Sequence, residues 1–156
     1  MRMRRIAHSA AVLVWAALGT GVAVGHAEAQ RSHIGPHAGY NFDFDEALIG
    51  AQAHLPLTRS VELYPSFDYY FVDGGKLLGF NGDLKFRAPG GPLYFGGGVN
   101  VLRATSGGNS SSDTGINLFG GFETRYGVTH PYLEARGLLH DNTSFQLLFG
   151  LNMTLY

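Results

Sequence analysis

The sequence predicts an all-β fold, an eight-stranded antiparallel up-and-down transmembrane β-barrel preceded by a signal peptide. Three observations predict it. From residue 33 onward apolar and polar residues alternate in eight runs separated by turn residues, with no helical period. Nearly every run carries Leu, Phe, Val, Ile or Tyr on one parity. The charges within the runs collect on the other parity, where a membrane barrel keeps its polar lumen.

Residues 1–29 read as the signal. Arg2, Arg4 and Arg5 form a positive start, Ile6 to Val24 an apolar stretch, and Ala27-Glu28-Ala29 the small-x-small site before Gln30. Residues 30–156 then form the barrel, a length that suits one domain. Three of the 11 basic and one of the 12 acidic residues lie in the signal, which leaves a net charge of about −3. That balance offers no basic face to nucleic acid. With no cysteine in the chain, neither a disulfide framework nor a thiolate metal site is expected.

The runs follow in order. The first, 33–42, sets Ile34, Pro36, Ala38, Tyr40 and Phe42 against His33, Gly35, His37, Gly39 and Asn41. The second, 47–55, sets Ile49, Ala51, Ala53 and Leu55 against Gly50, Gln52 and His54. In the third, 60–72, Val61, Leu63, Phe67, Tyr69 and Phe71 oppose Glu62, Tyr64, Ser66, Asp68 and Tyr70, and Pro65 predicts a bulge or local irregularity. Asp73-Gly-Gly75 is a hairpin turn into the fourth, 76–88. Pro89-Gly-Gly-Pro92 turns into the fifth, 93–103. Residues 104–113, rich in Ser, Gly and Asn, predict the longest and most flexible loop. The sixth, 114–126, and seventh, 130–139, lead to the eighth. There Phe145, Leu147, Phe149, Leu151, Met153 and Leu155 alternate with Gln146, Leu148, Gly150, Asn152, Thr154 and Tyr156. That last run is slightly longer than the roughly 9–11 tilted residues needed to cross a bilayer.

The polar parity gives an expected lumen network of Glu62, Asp68, Asp83, Lys85, Arg87, Glu123, Arg125, Glu134 and Arg136, five acids against four bases. Such charges must pair, because an isolated one away from water is costly. The same parity carries Tyr64, Tyr70, Tyr94, Phe119 and Tyr132, large enough to plug an eight-stranded interior. The expected lipid-facing set includes Phe67, Phe80, Phe86, Phe95, Leu133, Phe145, Leu147, Phe149 and Leu151.

A signal peptide, eight alternating runs, a Gly-rich polar face and a terminal aromatic resemble the small eight-stranded outer-membrane barrels, the OmpA/OmpX-like barrel domain. The resemblance covers residues 30–156 and rests on pattern. It implies a bacterial outer-membrane location, outer-membrane lipid as solvent, and periplasmic chaperones and the barrel-assembly machinery as partners in biogenesis. In that family the terminal aromatic usually shares the outward parity; here Leu155 does, and Tyr156 is one residue out of phase.

Two chemistries compete with this structural reading. His33 and His37 stand about 13 Å apart on a strand, too far to share a metal without a second strand such as that of His54. A lipid A acyl hydrolase would need a Ser, a His and an acid at the membrane edge, and the last two runs contain His130, His140, Ser144 and Glu134. No deacylase motif accompanies them. The expectation is therefore a structural or surface-interaction protein with no catalytic site, cofactor or metal. The alternative is a soluble, exported lipocalin-like barrel that binds a small apolar ligand, with its faces reversed.

Overall fold

The computed structural model describes residues 31–156; the expected signal peptide lies outside the described residues. Eight strands run in sequence: β1 (His33–Asn41), β2 (Glu46–Pro56), β3 (Val61–Tyr70), β4 (Lys76–Arg87), β5 (Leu93–Ser106), β6 (Asn109–Glu123), β7 (Thr129–Leu139) and β8 (Ser144–Thr154). Each pairs antiparallel with the next, and β8 closes on β1. Closure leaves no open edge around the ring, so every strand finds both of its hydrogen-bonding neighbours. That is the condition for a β-sheet in a bilayer.

Pleat alternation sorts the side chains. Phe67, Phe80, Phe86, Phe95, Leu133, Phe145, Leu147, Phe149 and Leu151 all stand on the exposed outer wall. Aromatic contacts gather toward the rims, with Tyr40 and Tyr69 packing on Phe42 and Phe71 at one end and Phe86 stacking on Phe95 toward the other. Inside, Tyr64, Tyr70, Tyr94, Phe119 and Tyr132 are buried among polar and charged residues. This is the reverse of a soluble barrel, whose apolar face points inward.

Inside the barrel, several large residues face glycines across the ladder. In register, Phe119 opposes Gly96, Tyr94 opposes Gly121, Tyr132 opposes Gly150 and His37 opposes Gly50. A Cβ at Gly150 would stand 2.5 Å from the Tyr132 ring. Each ring uses the volume that its cross-strand partner omits.

Two sequence expectations are corrected. Residues 104–113 are no loose loop: β5 and β6 continue as a paired hairpin to Ser106 and Asn109, turning on Gly107 and Gly108. Both glycines have positive φ, 57° and 83°, which suits them to a two-residue turn. The Ser and Asn side chains hid the strand because both faces are exposed there, and no apolar alternation survives where neither face is buried. Pro65 causes no bulge. The β2–β3 register is the same on both sides of it, from Gln52↔Ser66 to Leu55↔Leu63. Tyr156 lies beyond β8, exposed, where the Arg31 guanidinium sits 4.6 Å from its ring centroid.

Candidate functional site

The interior can be built up from its charges. Glu62 on β3 lies in register with Lys85 on β4, but the closer partner is Arg87. The Arg87 Nε and a terminal nitrogen donate to the two Glu62 oxygens at 2.6 and 3.0 Å. The other terminal nitrogen contacts Glu123 at 2.9 Å. Lys85 Nζ donates to Glu123 at 2.6 Å and rests 3.6 Å from the Tyr94 ring centroid. A charge-assisted bond and a cation–π contact thus replace the water that this ammonium lost. His54 Nδ1 lies 3.0 Å from Glu62, and Asn152 donates to Glu123 at 2.9 Å.

A second cluster occupies the middle of the barrel. Arg136 donates through Nε to Glu134 at 2.9 Å, and its terminal nitrogens make ion pairs with Glu134 at 2.8 Å and Asp83 at 3.1 Å. Tyr94 Oη donates to Glu134 and Asn117 donates to Asp83. The Arg136 guanidinium also lies 4.8 Å from the Phe119 ring centroid. Asp68, which has no Lys or Arg contact among the described residues, is held instead by His37 at 2.7 Å and Asn81 at 2.8 Å. Asn81 in turn accepts from Asn100 and Asn117. The amide chain was not anticipated from the sequence, although Asn81, Asn100 and Asn117 all stand on the inward parity.

Arg125 is the exception to the expected network. β6 ends at Glu123, so Arg125 lies exposed in the turn that follows rather than inside. The interior therefore holds five carboxylates against three strong bases; His37 contacts Asp68, the acid those bases do not reach, and His54 adds to Glu62.

The lumen is asymmetric from end to end. Near the β1–β2, β3–β4 and β7–β8 turns, buried Leu48, Tyr70, Leu102 and Leu148 form an apolar layer against which Phe44, Val72 and Leu77 pack. The end bearing the chain termini instead opens as a cup of about 260 Å³. Arg31, Arg59, Arg87 and Arg125 line it together with His33 and His130.

The residues considered for hydrolysis do not meet. His130 and His140 lie at opposite ends of β7, about 33 Å apart along the strand. Ser144 Oγ accepts from Asn41 at 3.1 Å, and Glu134 is committed to Arg136 and Tyr94. His33 does meet His54, as its β1–β2 partner, and packs edge-on against His130 at 5.0 Å. No group of three or more His, Cys, Asp or Glu side chains among the described residues is placed to hold a metal ion.

No protein-family model and no curated protein matches the chain. Solved structures do match. The N-terminal β-barrel domain of Pseudomonas aeruginosa OprF is similar at 19% identity and a TM-score of 0.64, over 80% of this chain and 96% of that one. Neisserial surface protein A is similar at 13% identity and 0.56, over 80% and 97%. Ail, the attachment invasion locus protein of Yersinia pestis, is similar at 14% and 0.55, over 80% and 97%. At these identities the likeness concerns the fold, which is that of the eight-stranded outer-membrane barrels.

Proposed function

We propose that this chain is an integral outer-membrane barrel whose lumen is closed by its own side chains and whose role is structural or surface-interacting rather than catalytic. The single observation that carries this reading is the inversion of its faces, a Phe/Leu outer wall around buried ion pairs. In water that wall would be a very large exposed apolar surface; in lipid it is the ordinary solvent-facing surface of such a barrel. The similarity to outer-membrane barrels points the same way.

On this reading residues 1–29 direct export and are removed, and residues 30–156 insert with the help of periplasmic chaperones and the barrel-assembly machinery. The termini and the 57–60, 88–92 and 124–128 turns face the periplasm. The β5–β6 hairpin projects outside. Beyond the last β6–β7 pair at Ile116↔Leu139, residues 109–115 pair only with β5, so the projecting part of β6 has one open edge. An open edge offers a row of backbone donors and acceptors to an extended segment of another protein. The lipocalin-like alternative requires an apolar interior cavity, whereas the buried interior side chains here include Lys85, Arg136 and their carboxylate partners.

Envelope fractionation followed by electrophoresis of boiled and unboiled samples tests the reading. A β-rich band in the outer-membrane fraction that changes mobility on boiling is expected. Recovery as a soluble monomer without detergent would overturn it.

A further inference from the structure

Lysine and arginine are unevenly placed along this barrel. Among the described residues, Lys85, Arg87 and Arg136 are committed to interior carboxylates, and Arg31, Arg59 and Arg125 stand at the terminus-bearing end. Only Lys76 and Arg103 remain for the end that bears the β5–β6 hairpin. Both are exposed, and neither makes an ion pair among the described residues. Both also stand on the lipid-facing parity of their strands. On β5 the outward residues of 93–101 are Leu, Phe, Gly, Val and Val, and Arg103 is the next outward residue. On β4 the outward residues of 78–86 are Leu, Phe, Gly, Leu and Phe, and Lys76 is the next. Each apolar row therefore spans nine residues, the lower end of the roughly 9–11 with which a tilted strand crosses the hydrocarbon. The two cations stand one step beyond it, at the depth of lipid headgroups.

Register brings them together. Lys76 opposes Thr105 and Leu78 opposes Arg103, so the cations are diagonal cross-strand neighbours on one face, with Cβ atoms about 7 Å apart. On the other side Arg103 opposes Ser112 and Thr105 opposes Ser110, and the Thr105 and Ser110 hydroxyls lie 3.1 Å apart. Two like charges side by side on a sheet are unfavourable unless something negative lies between them. The acids of this end stand elsewhere. Asp113 is on the inward parity, opposite Leu102. Asp43, Asp45 and Glu46 lie around the β1–β2 turn and Asp141 in the β7–β8 turn, on the far side of the ring. Asp73, in the β3–β4 turn, makes no ion pair with either cation. The backbone that carries the pair is fixed, because β5 stays paired to β4 as far as Lys76↔Thr105 and Ser106 donates to the Gly74 carbonyl at 3.2 Å.

We infer that Lys76 and Arg103 form a site for the phosphate of a lipid in the outer leaflet, whose acyl chains lie along the wall at Phe80 and Val99. The inference rests on the orientation proposed above, in which the β5–β6 hairpin projects outside. Phosphate fits because the planar guanidinium fork matches its oxygens two at a time and the ammonium adds a compact charge beside it. Ser112 and Thr105 supply hydroxyl donors on the same face. Depth and parity favour a lipid over a soluble anionic partner. Such a partner would meet the hairpin tip at 106–109 first, and the tip carries no cation.

The test places the folded barrel in maltoside micelles, which hold no phosphate, and adds phosphatidic acid while NMR follows the Arg103 Nε–H and the Ser112 amide. Saturable shifts at both are expected, with none from the matching diacylglycerol, which lacks the phosphate. Lys76→Gln combined with Arg103→Gln should weaken binding, read at Ser112, about ten-fold, the loss of two exposed charge-assisted contacts. Arg125→Gln, at the opposite end, should leave it unchanged. Inorganic phosphate should bind much more weakly than the lipid, because no acyl chain anchors it. Non-saturating shifts, equal shifts from diacylglycerol, an unaltered affinity in the double variant, or inorganic phosphate binding as tightly as the lipid would overturn the inference. Boiled and unboiled gels show that each variant is folded. A barrel that folds in the micelle and gives any of those results sinks this inference alone. Recovery of the chain as a soluble monomer without detergent would sink the reading on which it rests.

Discussion

Arg136 shows most directly what a single residue does in this interior. Its guanidinium is almost wholly inaccessible, at 1% exposure, and faces the carboxylates of both Glu134 and Asp83. Replacing it with Leu would keep much of its volume but leave two buried acids without their cation. Breaking a buried pair in this way costs about 3–5 kcal/mol, because the surviving charge keeps its desolvation penalty and loses its compensation. Arg136→Leu should therefore lower the urea midpoint of the barrel in lipid vesicles by that equivalent. Arg125→Leu, in the exposed turn after β6, should change it by no more than about 0.5 kcal/mol. Equal effects from the two would show that the interior pairs carry no special weight. The parity of the sequence placed Arg136, Glu134 and Asp83 on one face. It could not say that Arg136 reaches two acids on different strands, since that depends on register and side-chain direction.

At the scale of the element, the strands trade volume with their neighbours. On β6, Gly120 and Gly121 are adjacent but point to opposite faces. A Cβ on Gly120 would meet nothing closer than the Tyr94 carbonyl at 3.6 Å, whereas one on Gly121 would stand 2.3 Å from the Leu133 carbonyl oxygen and 2.6 Å from Tyr94 Oη. Gly121→Val should push Tyr94 out of the contacts it makes with Lys85 and Glu134, at an overpacking cost of about 1–3 kcal/mol. Gly120→Val should be tolerated or mildly stabilising, since a β-branched residue suits a strand. Comparing folding yields and urea midpoints of the two variants distinguishes them; similar losses would remove the account of glycine as the complement of a lumen ring. The alternation that defined these strands was plain from their apolar parity. The β5–β6 hairpin escaped because its alternation ends where the barrel wall ends, and only pairing with β4 and β5 reveals the strand.

For the whole molecule, the decisive feature is a set of buried ion pairs and rings inside an apolar wall, which on the proposed reading fills the lumen. The lumen passes from the arginine cup through the two ion-pair clusters to an apolar layer, and the side chains that fill it are held by bonds spanning most of the ring. A barrel of this kind should give no stepwise conductance in a planar bilayer. Stable open-channel steps from the unmodified protein would mean that the network rearranges to admit water. The apolar end layer and the basic cup are both properties of the closed barrel, assembled from residues far apart in sequence. Arg31, Arg59, Arg87 and Arg125 belong to four different stretches and become neighbours only because every second turn returns to the same end.

The sequence by itself determined the fold class, the number of strands and the face to which most side chains of the barrel wall belong. Those follow from a period of two and from turn residues, which are local quantities. It also limited the function classes, since charge balance and the lack of cysteine can be read without a structure. Tertiary structure alone decided which charges meet, that Arg125 leaves the lumen for the rim, that Tyr94, Phe119 and Tyr132 are each matched to a glycine, and that one end is apolar while the other is basic. Those are contacts between strands. They depend on the stagger with which eight strands close, and a single strand carries no record of its neighbour's register.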